Sequence, residues 1–193
     1  MTYRQSFLKL VYPVLMWWSR LLGKKAKNSK PVQPAAVSFY SLSANLINGQ
    51  PFDFSQLKGK KVLLVNTASD CGYTAQYADL QKLWEDHRDR LVVLGFPSNN
   101  FKEQEKGSDD EIARFCQVNY GVSFPLMKKS VVVPGPDQNS VYQWLTDPAR
   151  NGWNKIAPSW NFSKYLVDEN GQLLGCYGPA ISPLDTAILN AIQ

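Results

Sequence analysis

Two runs of aliphatic and β-branched residues stand out from the polar background and predict strands that are buried on both faces. They are Lys-Val-Leu-Leu-Val-Asn at 61–66 and Leu-Val-Val-Leu-Gly-Phe at 91–96. Between them, apolar residues recur at the spacing of one helix face, which predicts a helix over residues 75–87. The centre of the chain therefore alternates strand, helix and strand.

The second half of the chain carries further helix and hairpin signals. Ser108 followed by Glu111 is a capping box, which predicts a helix that runs to about Asn119. The turn residues at 168–171 separate two apolar runs and predict a hairpin. The other predicted elements are a hairpin of 37–42 with 46–47 around Asn48-Gly49, a helix at 140–145, strands at 164–167 and 173–177, and a last helix at 183–192. This order predicts an α/β fold, a three-layer sandwich with a central sheet.

The N-terminal region has a different pattern, an apolar run at residues 10–18 with basic residues on both sides. A spanning helix needs about 20 apolar residues, whereas this uninterrupted run has nine and contains Pro13. We therefore expect an N-terminal apolar and basic helix that contacts a membrane surface through residues 5–25. A spanning helix, a cleaved signal peptide and a helix folded onto its own domain remain alternatives. Lysines follow the apolar run and no clear cleavage site precedes them, which disfavours the signal peptide.

Composition divides the chain into three parts. We expect a membrane-associating segment at 1–27, a linker at 28–36 with two prolines, and a folded domain at 37–193. With 44% hydrophobic residues among 193, the chain can bury one core, and disorder throughout is excluded. The lysines after the apolar run favour the cytoplasmic side of a membrane, or the cytoplasm, over export.

The net charge of +5 comes from the N-terminal region. The first 30 residues carry seven Lys and Arg and no acid, so the rest of the chain holds 14 basic and 16 acidic residues. The folded part is about neutral, and nucleic acid is not an expected partner.

Cysteine and histidine counts exclude several classes of site. Cys71, Cys116 and Cys176 are 45 and 60 residues apart, which matches neither a disulfide scaffold nor a metal knuckle. His87 is the only histidine, so a multi-histidine metal site is excluded and a Ser-His-Asp hydrolase is disfavoured. We expect at least one free thiol, no metal and no bound cofactor, and we predict an ordinary exposed helix position for His87.

Cys71 is the strongest candidate for chemistry, because it lies where the buried strand ending at Asn66 gives way to a helix. Unpaired backbone N–H groups and the positive end of a helix favour thiolate over thiol, and the thiolate is the nucleophile. Gly72 would let the backbone approach a small substrate closely. A buried structural cysteine is an equally good interpretation of this turn by itself.

Three ordered motifs decide between these interpretations. They are Val-Asn-Thr-Ala-Ser-Asp-Cys-Gly-Tyr-Thr at 65–74, Leu-Gly-Phe-Pro-Ser-Asn-Asn-Phe at 94–101 with Gln104-Glu105, and Trp-Asn-Phe at 160–162. From about Phe39 to the C-terminus the chain resembles the glutathione peroxidase family, in its cysteine-containing form. The resemblance implies a thioredoxin-like fold with a mixed central sheet.

The resemblance also implies a catalytic site in which Cys71 attacks the peroxide and Gln104, Trp160 and Asn161 surround its sulfur. The chemistry of these side chains agrees, since amide and indole N–H groups are donors that do not titrate and can stabilise a thiolate. Taken singly, Gln104 could be a loop residue and Trp160 a core aromatic.

The implied activity is reduction of hydrogen peroxide or of organic and lipid hydroperoxides to water or alcohol, through a sulfenic acid on Cys71. Cys116 lies in a segment, 112–121, that resembles the helix with the resolving cysteine in thioredoxin-dependent members. A Cys71–Cys116 disulfide would then be exchanged with thioredoxin, with glutathione as the other possible reductant. A buried helix cysteine without a redox role is the alternative for Cys116.

The sequence departs from the family pattern at two positions, with Ser98 and Asn100 where cysteine and glutamine are common. Cys176 lies outside the motifs and is expected to be structural. The segment between Leu145 and Trp160 is short, which favours a monomer.

Two rival functions remain. One is a membrane-tethered thiol-disulfide oxidoreductase or copper chaperone, and the other is a peroxide sensor that relays oxidation to a partner. The first would need a second cysteine beside Cys71, which residues 72–74 lack.

Overall fold

The structure is a computed structural model, and it describes residues 34–193 together with residues 3, 7, 10, 11, 14 and 26–28. Residues 3, 7, 10, 11 and 14 are helical, and residues 26–28 form a strand. The rest of the predicted segment 1–27, and the predicted linker up to residue 33, lie outside the described residues. Among the described helices, none has the length and apolar character needed to cross a bilayer.

Besides these five helical N-terminal residues, the described part of the chain contains seven strands and five α-helices. The strands are β1 (Ala26–Asn28), β2 (Ser43–Asn45), β3 (Pro51–Asp53), β4 (Lys61–Thr67), β5 (Leu91–Pro97), β6 (Lys164–Val167) and β7 (Leu173–Tyr177). The helices are α1 (Gln76–Asp86), α2 (Asp109–Tyr120), α3 (Ser140–Thr146), α4 (Pro148–Asn151) and α5 (Thr186–Leu189), with short 3-10 helices at Phe39–Ser41 and Phe54–Leu57.

The central sheet is mixed, in the strand order β1-β7-β6-β4-β5. β4 and β5 are parallel and are joined by α1, whereas β6 runs antiparallel to both β4 and β7. β1 pairs antiparallel with the outer edge of β7. β2 and β3 form a separate hairpin.

Alternate residues of β4 enter two different cores, which is why its sequence is apolar without interruption. Leu63 and Val65 pack with residues of α1, α2 and α5 on one face of the sheet. Val62 and Leu64 pack with α3 and the two 3-10 helices on the other face. The result is the predicted three-layer sandwich, with Cys71 and Cys116 both in the first core.

Most predicted elements are confirmed within a residue or two: β4, β5, α1, α2, α3 and the β6–β7 hairpin. The capping box is present, since the Ser108 hydroxyl accepts a hydrogen bond from the Glu111 N–H and the Glu111 carboxylate accepts one from the Ser108 N–H. Local signals specify these elements, because each has its own cap, turn or hydrophobic run.

Three predicted boundaries are wrong. The strand predicted at 37–42 is a 3-10 helix at Phe39–Ser41, because Phe39 turns inward against Phe54 and Trp144. The first hairpin is instead formed by β2 and β3, with Asn48-Gly49 in its turn. The last helix occupies only Thr186–Leu189, because the Asp185 side chain accepts a hydrogen bond from the Ala187 N–H and caps the helix there. The short helix α4 was not predicted.

Candidate active site

A tight turn at the carboxyl end of β4 holds Cys71. The Thr74 hydroxyl donates to the Ala68 carbonyl at 2.9 Å and accepts a hydrogen bond from the Cys71 N–H at 3.0 Å. The Thr74 N–H donates to the Cys71 carbonyl at 3.1 Å. These three bonds fix the main chain on both sides of the sulfur five residues before α1 begins.

N–H donors surround the Cys71 sulfur. The Tyr73 N–H lies 3.4 Å from Sγ, and the Asn161 and Trp160 side chains are within hydrogen-bonding reach. Burial raises the pKa of the Cys71 thiol, these three donors lower it, and the Asp70 carboxylate raises it again. The net direction is upward, because only 1% of the residue is exposed. The N–H donors thus act in the direction that the position of Cys71 predicts, and burial outweighs them.

Gln104 joins the site through Asn161. The Asn161 Nδ2 donates to Gln104 Oε1 at 2.9 Å, and the Gln104 carbonyl accepts a hydrogen bond from the Asp70 N–H at 3.0 Å. The amide of Gln104 is thus oriented by a neighbour that itself reaches the sulfur. Its main chain is bonded directly to the loop that carries Cys71.

Trp160 is half-buried beside the opening of the site. Its ring lies 5.6 Å from the Phe101 ring, centroid to centroid, and the Lys102 ammonium lies 5.7 Å from the Trp160 centroid. The structure thus places Trp160 and Asn161 near the Cys71 sulfur and Gln104 against Asn161.

Asn66, at the end of β4, holds the segment that carries Trp160 and Asn161. Its Nδ2 donates to the Trp160 carbonyl at 3.1 Å, and its Oδ1 accepts a hydrogen bond from the Ser163 N–H at 3.1 Å. Its main-chain carbonyl accepts one from the Phe162 N–H at 2.6 Å. Sequence reasoning assigned no role to Asn66. A buried carboxamide at the end of an apolar strand was the available signal, since such a group requires partners.

Glu105 lies beside Gln104 in the second motif, but its own role was not predicted. It is buried, and burial raises the pKa of its carboxyl group to about 7; hydrogen bonds from Ser69 and the charge of Lys129 lower the pKa, and Asp70 raises it. Its N–H donates to Asn99 Oδ1 at 2.9 Å. Glu105 therefore connects the catalytic turn to the loop after β5.

A cavity of about 500 Å³ lies between this loop and the first turns of α2. Its lining includes Ser69, Gln104 and Glu105 on one side and Ile112 and Phe115 on the other. This cavity thus lies between the helix that carries Cys116 and the turn at residues 68–74 that holds Cys71.

The structure places Cys116 in the same core as Cys71, with no disulfide between them. Cys116 is fully buried on α2, and burial raises the pKa of its thiol to about 12; the Tyr77 hydroxyl lowers this pKa and the Glu105 charge raises it. Across the described part of the chain, the cysteines are all reduced.

Cys176 lies on β7, away from the site, and its thiol donates to Asn154 Oδ1 at 3.9 Å. Cys176 is also buried, which agrees with the predicted structural role.

Two positions depart from the family pattern, Ser98 and Asn100. The Ser98 hydroxyl donates to Asn100 Oδ1 at 2.7 Å, and that oxygen also accepts a hydrogen bond from the Val132 N–H. These two residues therefore order the loop after β5. His87 caps the C-terminus of α1 beside Arg90, outside the site.

Comparison with known proteins assigns the chain to a family. A sequence profile described as glutathione peroxidase matches residues 39–146. A protein of Saccharomyces cerevisiae named "Glutathione peroxidase-like peroxiredoxin 2" is 46% identical over 148 residues, covering 76% of this chain and 91% of that protein. This chain belongs to the glutathione peroxidase family.

Solved structures agree with this assignment. The crystal structure of "Trgpx in apo form" matches with a TM-score of 0.60 and 34% sequence identity, over 82% of this chain and 97% of that one. A thiol:disulfide interchange protein of the thioredoxin family from Chlorobium tepidum has a TM-score of 0.51 at 18% identity, over 86% and 96% of the two chains, and shows the fold alone. This glutathione peroxidase therefore has a thioredoxin-like fold and is a peroxidase that reduces peroxides through a cysteine.

Proposed function

We propose that Cys71 is the residue that attacks the peroxide, with Trp160, Asn161 and Gln104 as the groups that stabilise the reacting charges. The observation that carries this proposal is the enclosure of the Cys71 sulfur by N–H donors from Tyr73, Asn161 and Trp160. None of these donors titrates near neutral pH, so they can face a thiolate or a leaving oxygen without changing their own charge.

The reaction follows from this arrangement. The Cys71 sulfur attacks one peroxide oxygen, the O–O bond breaks, and the leaving oxygen departs as alcohol or water with the proton that the thiol loses. Burial raises the pKa of this thiol, so its proton has to be lost for the sulfur to attack as a thiolate. The N–H donors offset the cost of the charge that then develops on sulfur and oxygen.

We propose Cys116 as the resolving residue. Its sulfur would attack the sulfenic sulfur of Cys71, form the disulfide and release water, and a thioredoxin dithiol would then reduce that disulfide. Full burial of Cys116 means that α2 has to open locally before this step. The cavity beside Ile112 and Phe115 leaves room for that movement.

We propose thioredoxin over glutathione as the reductant, and a monomer as the working form. Four carboxylates and one lysine line the cavity beside the catalytic turn, which disfavours the two carboxylates of glutathione. These groups are Asp70, Glu103, Glu105, Glu111 and Lys106. The monomer rests on the short connection between α3 and Trp160, which leaves little chain for an interface.

We propose that residues 1–27 attach the enzyme to an anionic membrane surface, with residues 28–36 as a linker and 37–193 as the peroxidase domain. Tyr3, Phe7, Leu10 and Val14 are helical, lie within one helix face by their spacing, and are each at least 60% exposed. The basic residues of this segment would bind lipid phosphates. Attachment would place the enzyme near lipid hydroperoxides.

Vesicle binding tests this attachment. The full chain should cosediment with vesicles that contain anionic lipid and dissociate from them at high salt. A chain without residues 1–25, which keeps the pairing of β1 with β7, should stay in solution. Equal partition of the two proteins would contradict the proposal. Equal binding to neutral vesicles would exclude the electrostatic contribution.

Peroxide turnover tests the catalytic assignment. Consumption of hydrogen peroxide is measured with thioredoxin, its reductase and NADPH, and separately with glutathione and its reductase, for wild type, Cys71→Ser and Cys116→Ser. Thioredoxin-driven turnover that requires both cysteines is expected. Turnover that survives in Cys71→Ser would overturn the site, and glutathione-driven turnover that is indifferent to Cys116 would overturn the resolving role. Slow turnover with a trapped mixed disulfide would indicate a peroxide sensor instead.

A further inference from the structure

Lys164, the first residue of β6, has no part in the peroxide chemistry and yet is fully buried. Its Nζ donates hydrogen bonds to three main-chain carbonyls: Phe162 at 2.8 Å, Ile181 at 2.5 Å and Pro179 at 3.5 Å. A lysine is rarely placed in a core, because its amine loses the solvation of water. The unfavourable burial of this amine is therefore offset by its hydrogen bonds to these three carbonyls.

The hydrogen bonds of Lys164 do not require its amine to carry a charge. Burial lowers the pKa of the Lys164 ammonium well below its usual range, and the charge of Asp79 acts in the opposite direction. An ammonium group has three N–H donors and a neutral amine has two, so either form can keep the bond to Phe162. The amine thus serves as a hydrogen-bond donor whatever its protonation state.

Phe162 is the residue that most needs such a partner. It follows Trp160 and Asn161 directly, and its φ of +64° lies in the left-handed region that residues other than glycine rarely adopt. Its N–H is bonded to the Asn66 carbonyl of β4, and its carbonyl is bonded to Lys164. Both polar groups of this unusual turn are therefore fixed, one from each side.

The remaining bonds of the amine reach the start of α1. The Pro179 carbonyl also accepts a hydrogen bond from Gln76 Nε2 at 2.7 Å, and Gln76 is the first residue of α1 after the catalytic turn. Through Pro179, Lys164 links the Trp160–Phe162 segment to the helix that follows Cys71. The two side chains of this link, Lys164 and Gln76, are fully buried, and Pro179, whose carbonyl lies between them, is half-buried.

We propose that Lys164 is a positioning residue of the peroxidase site, whose amine holds the left-handed turn at Phe162 so that Trp160 and Asn161 point their N–H groups at the Cys71 sulfur. The proposal rests on the proposed function of Cys71. It adds a residue that touches neither peroxide nor sulfur.

The test replaces Lys164 by methionine, which keeps an unbranched apolar chain and removes every donor. The rate at which iodoacetamide alkylates Cys71, followed by mass spectrometry of the Cys71 peptide, is measured against pH. We expect the midpoint of this profile to rise in Lys164→Met, because the donors that lower the thiol pKa are misplaced. The rate of Cys71 oxidation by hydrogen peroxide at pH 7 should fall about tenfold or more.

Tyr165→Phe is the matched control. Tyr165 is the next residue of β6 and faces the other core, and its hydroxyl donates to the Ile156 carbonyl at 2.9 Å. The control thus also removes a bond from a buried side chain to a carbonyl, but it should leave the pH midpoint and the oxidation rate unchanged. Lys164→Gln retains an amide donor and should fall between wild type and Lys164→Met. It also provides the measurement if the methionine variant fails to fold in a urea titration.

The possible results separate cleanly. A folded Lys164→Met or Lys164→Gln with the wild-type midpoint would overturn the positioning role, as would equal losses in the Tyr165→Phe control. Failure of the proposed function has a different signature, peroxide consumption by wild type that is unaffected by Cys71→Ser. The alkylation profile uses no peroxide, so it decides on Lys164 in that case too.

Discussion

An indole, a carboxamide and a main-chain amide face the Cys71 sulfur, and no cationic side chain is among these donors. They lower the thiol pKa, but burial raises it by more. Under the proposed function, these N–H dipoles are already oriented toward the charge that develops on the sulfur during attack.

Replacing Trp160 by phenylalanine should isolate the contribution of the indole N–H. The ring would still pack on Phe101, whereas one donor to the sulfur would be lost. We expect Cys71 oxidation by hydrogen peroxide to slow by roughly tenfold to a hundredfold, measured by stopped flow. Trp153→Phe is the control, because it removes an indole bond to the Leu173 carbonyl outside the site. Equal rates for wild type and Trp160→Phe would contradict the assigned role.

Glu105 gives the protein a specific pH dependence. Its pKa is raised from 4.5 to about 7, so between these values the folded protein binds more protons than the unfolded chain. The contribution of Glu105 to the free energy of unfolding is therefore greatest below about pH 4.5 and is lost as the pH rises through about 7. Glu105→Gln should raise the free energy of unfolding by about 1–3 kcal/mol at pH 8, and by much less at pH 5.

Urea titrations at the two pH values measure this difference. Glu103→Gln is the control, since its carboxylate is exposed and pairs only with the exposed Lys106. A Glu105→Gln variant that is stabilised equally at pH 5 and pH 8 would show that the carboxyl charge is not the cause.

At the scale of the element, α2 has a well-capped N-terminus and carries a buried cysteine. Its N-terminus has the complete Ser108–Glu111 capping box, and its C-terminus ends at Gly121 in the left-handed conformation. Only Ile112 and Cys116 of its residues are fully buried. Such a helix is stabilised mainly at its ends, and weakening one end should favour its opening.

Ser108→Ala should therefore speed resolution while leaving peroxide attack unchanged. Loss of the cap costs about 1 kcal/mol, which raises the population of the opened helix about fivefold. We expect a similar gain in the rate of Cys71–Cys116 disulfide formation after a stoichiometric pulse of peroxide, followed by quenched alkylation. Asn139→Ala removes the corresponding cap of α3, where Asn139 accepts a hydrogen bond from the Val141 N–H, and should not change this rate. A slower rate in Ser108→Ala would argue against helix opening.

The accuracy of the sequence predictions also depends on the element. β4, α1 and α2 have their own hydrophobic pattern or cap, so their positions follow from local sequence. The segment around Phe39 does not, because its path is set by contact with Trp144, more than a hundred residues away. The same limit applies in the site. Motifs identified Gln104 and Asn161, but the bond between them and the supporting bonds of Asn66 are tertiary facts.

At the scale of the molecule, the two cores have different tasks. The first holds the two proposed redox cysteines together with α1, α2 and α5. The second packs the aromatic side chains of Phe39, Phe54 and Trp144 against the other face of the sheet. Under the proposed mechanism, the sheet would separate the face that rearranges from the face that stays fixed.

Oxidation should therefore loosen only one side of the protein. We expect amide hydrogen exchange in α2 to quicken once the Cys71–Cys116 disulfide has formed, since Cys116 leaves its buried position. Exchange in β4, β5 and α3 should stay slow. Mass spectrometry of reduced and oxidised protein measures both regions in one experiment. Faster exchange throughout the sheet would indicate global unfolding and would contradict this division.

With Cys116 as the proposed resolving residue, its deep burial would also set an upper limit on the peroxide concentration that this enzyme tolerates. Until α2 opens, the sulfenic acid on Cys71 has no internal thiol beside it, and a second peroxide can oxidise it to the sulfinic acid. The competition is between a unimolecular opening and a bimolecular attack, so scarce peroxide leads to turnover and abundant peroxide leads to inactivation. Such an enzyme would protect against a low, steady supply of peroxide and would inactivate itself when peroxide is abundant.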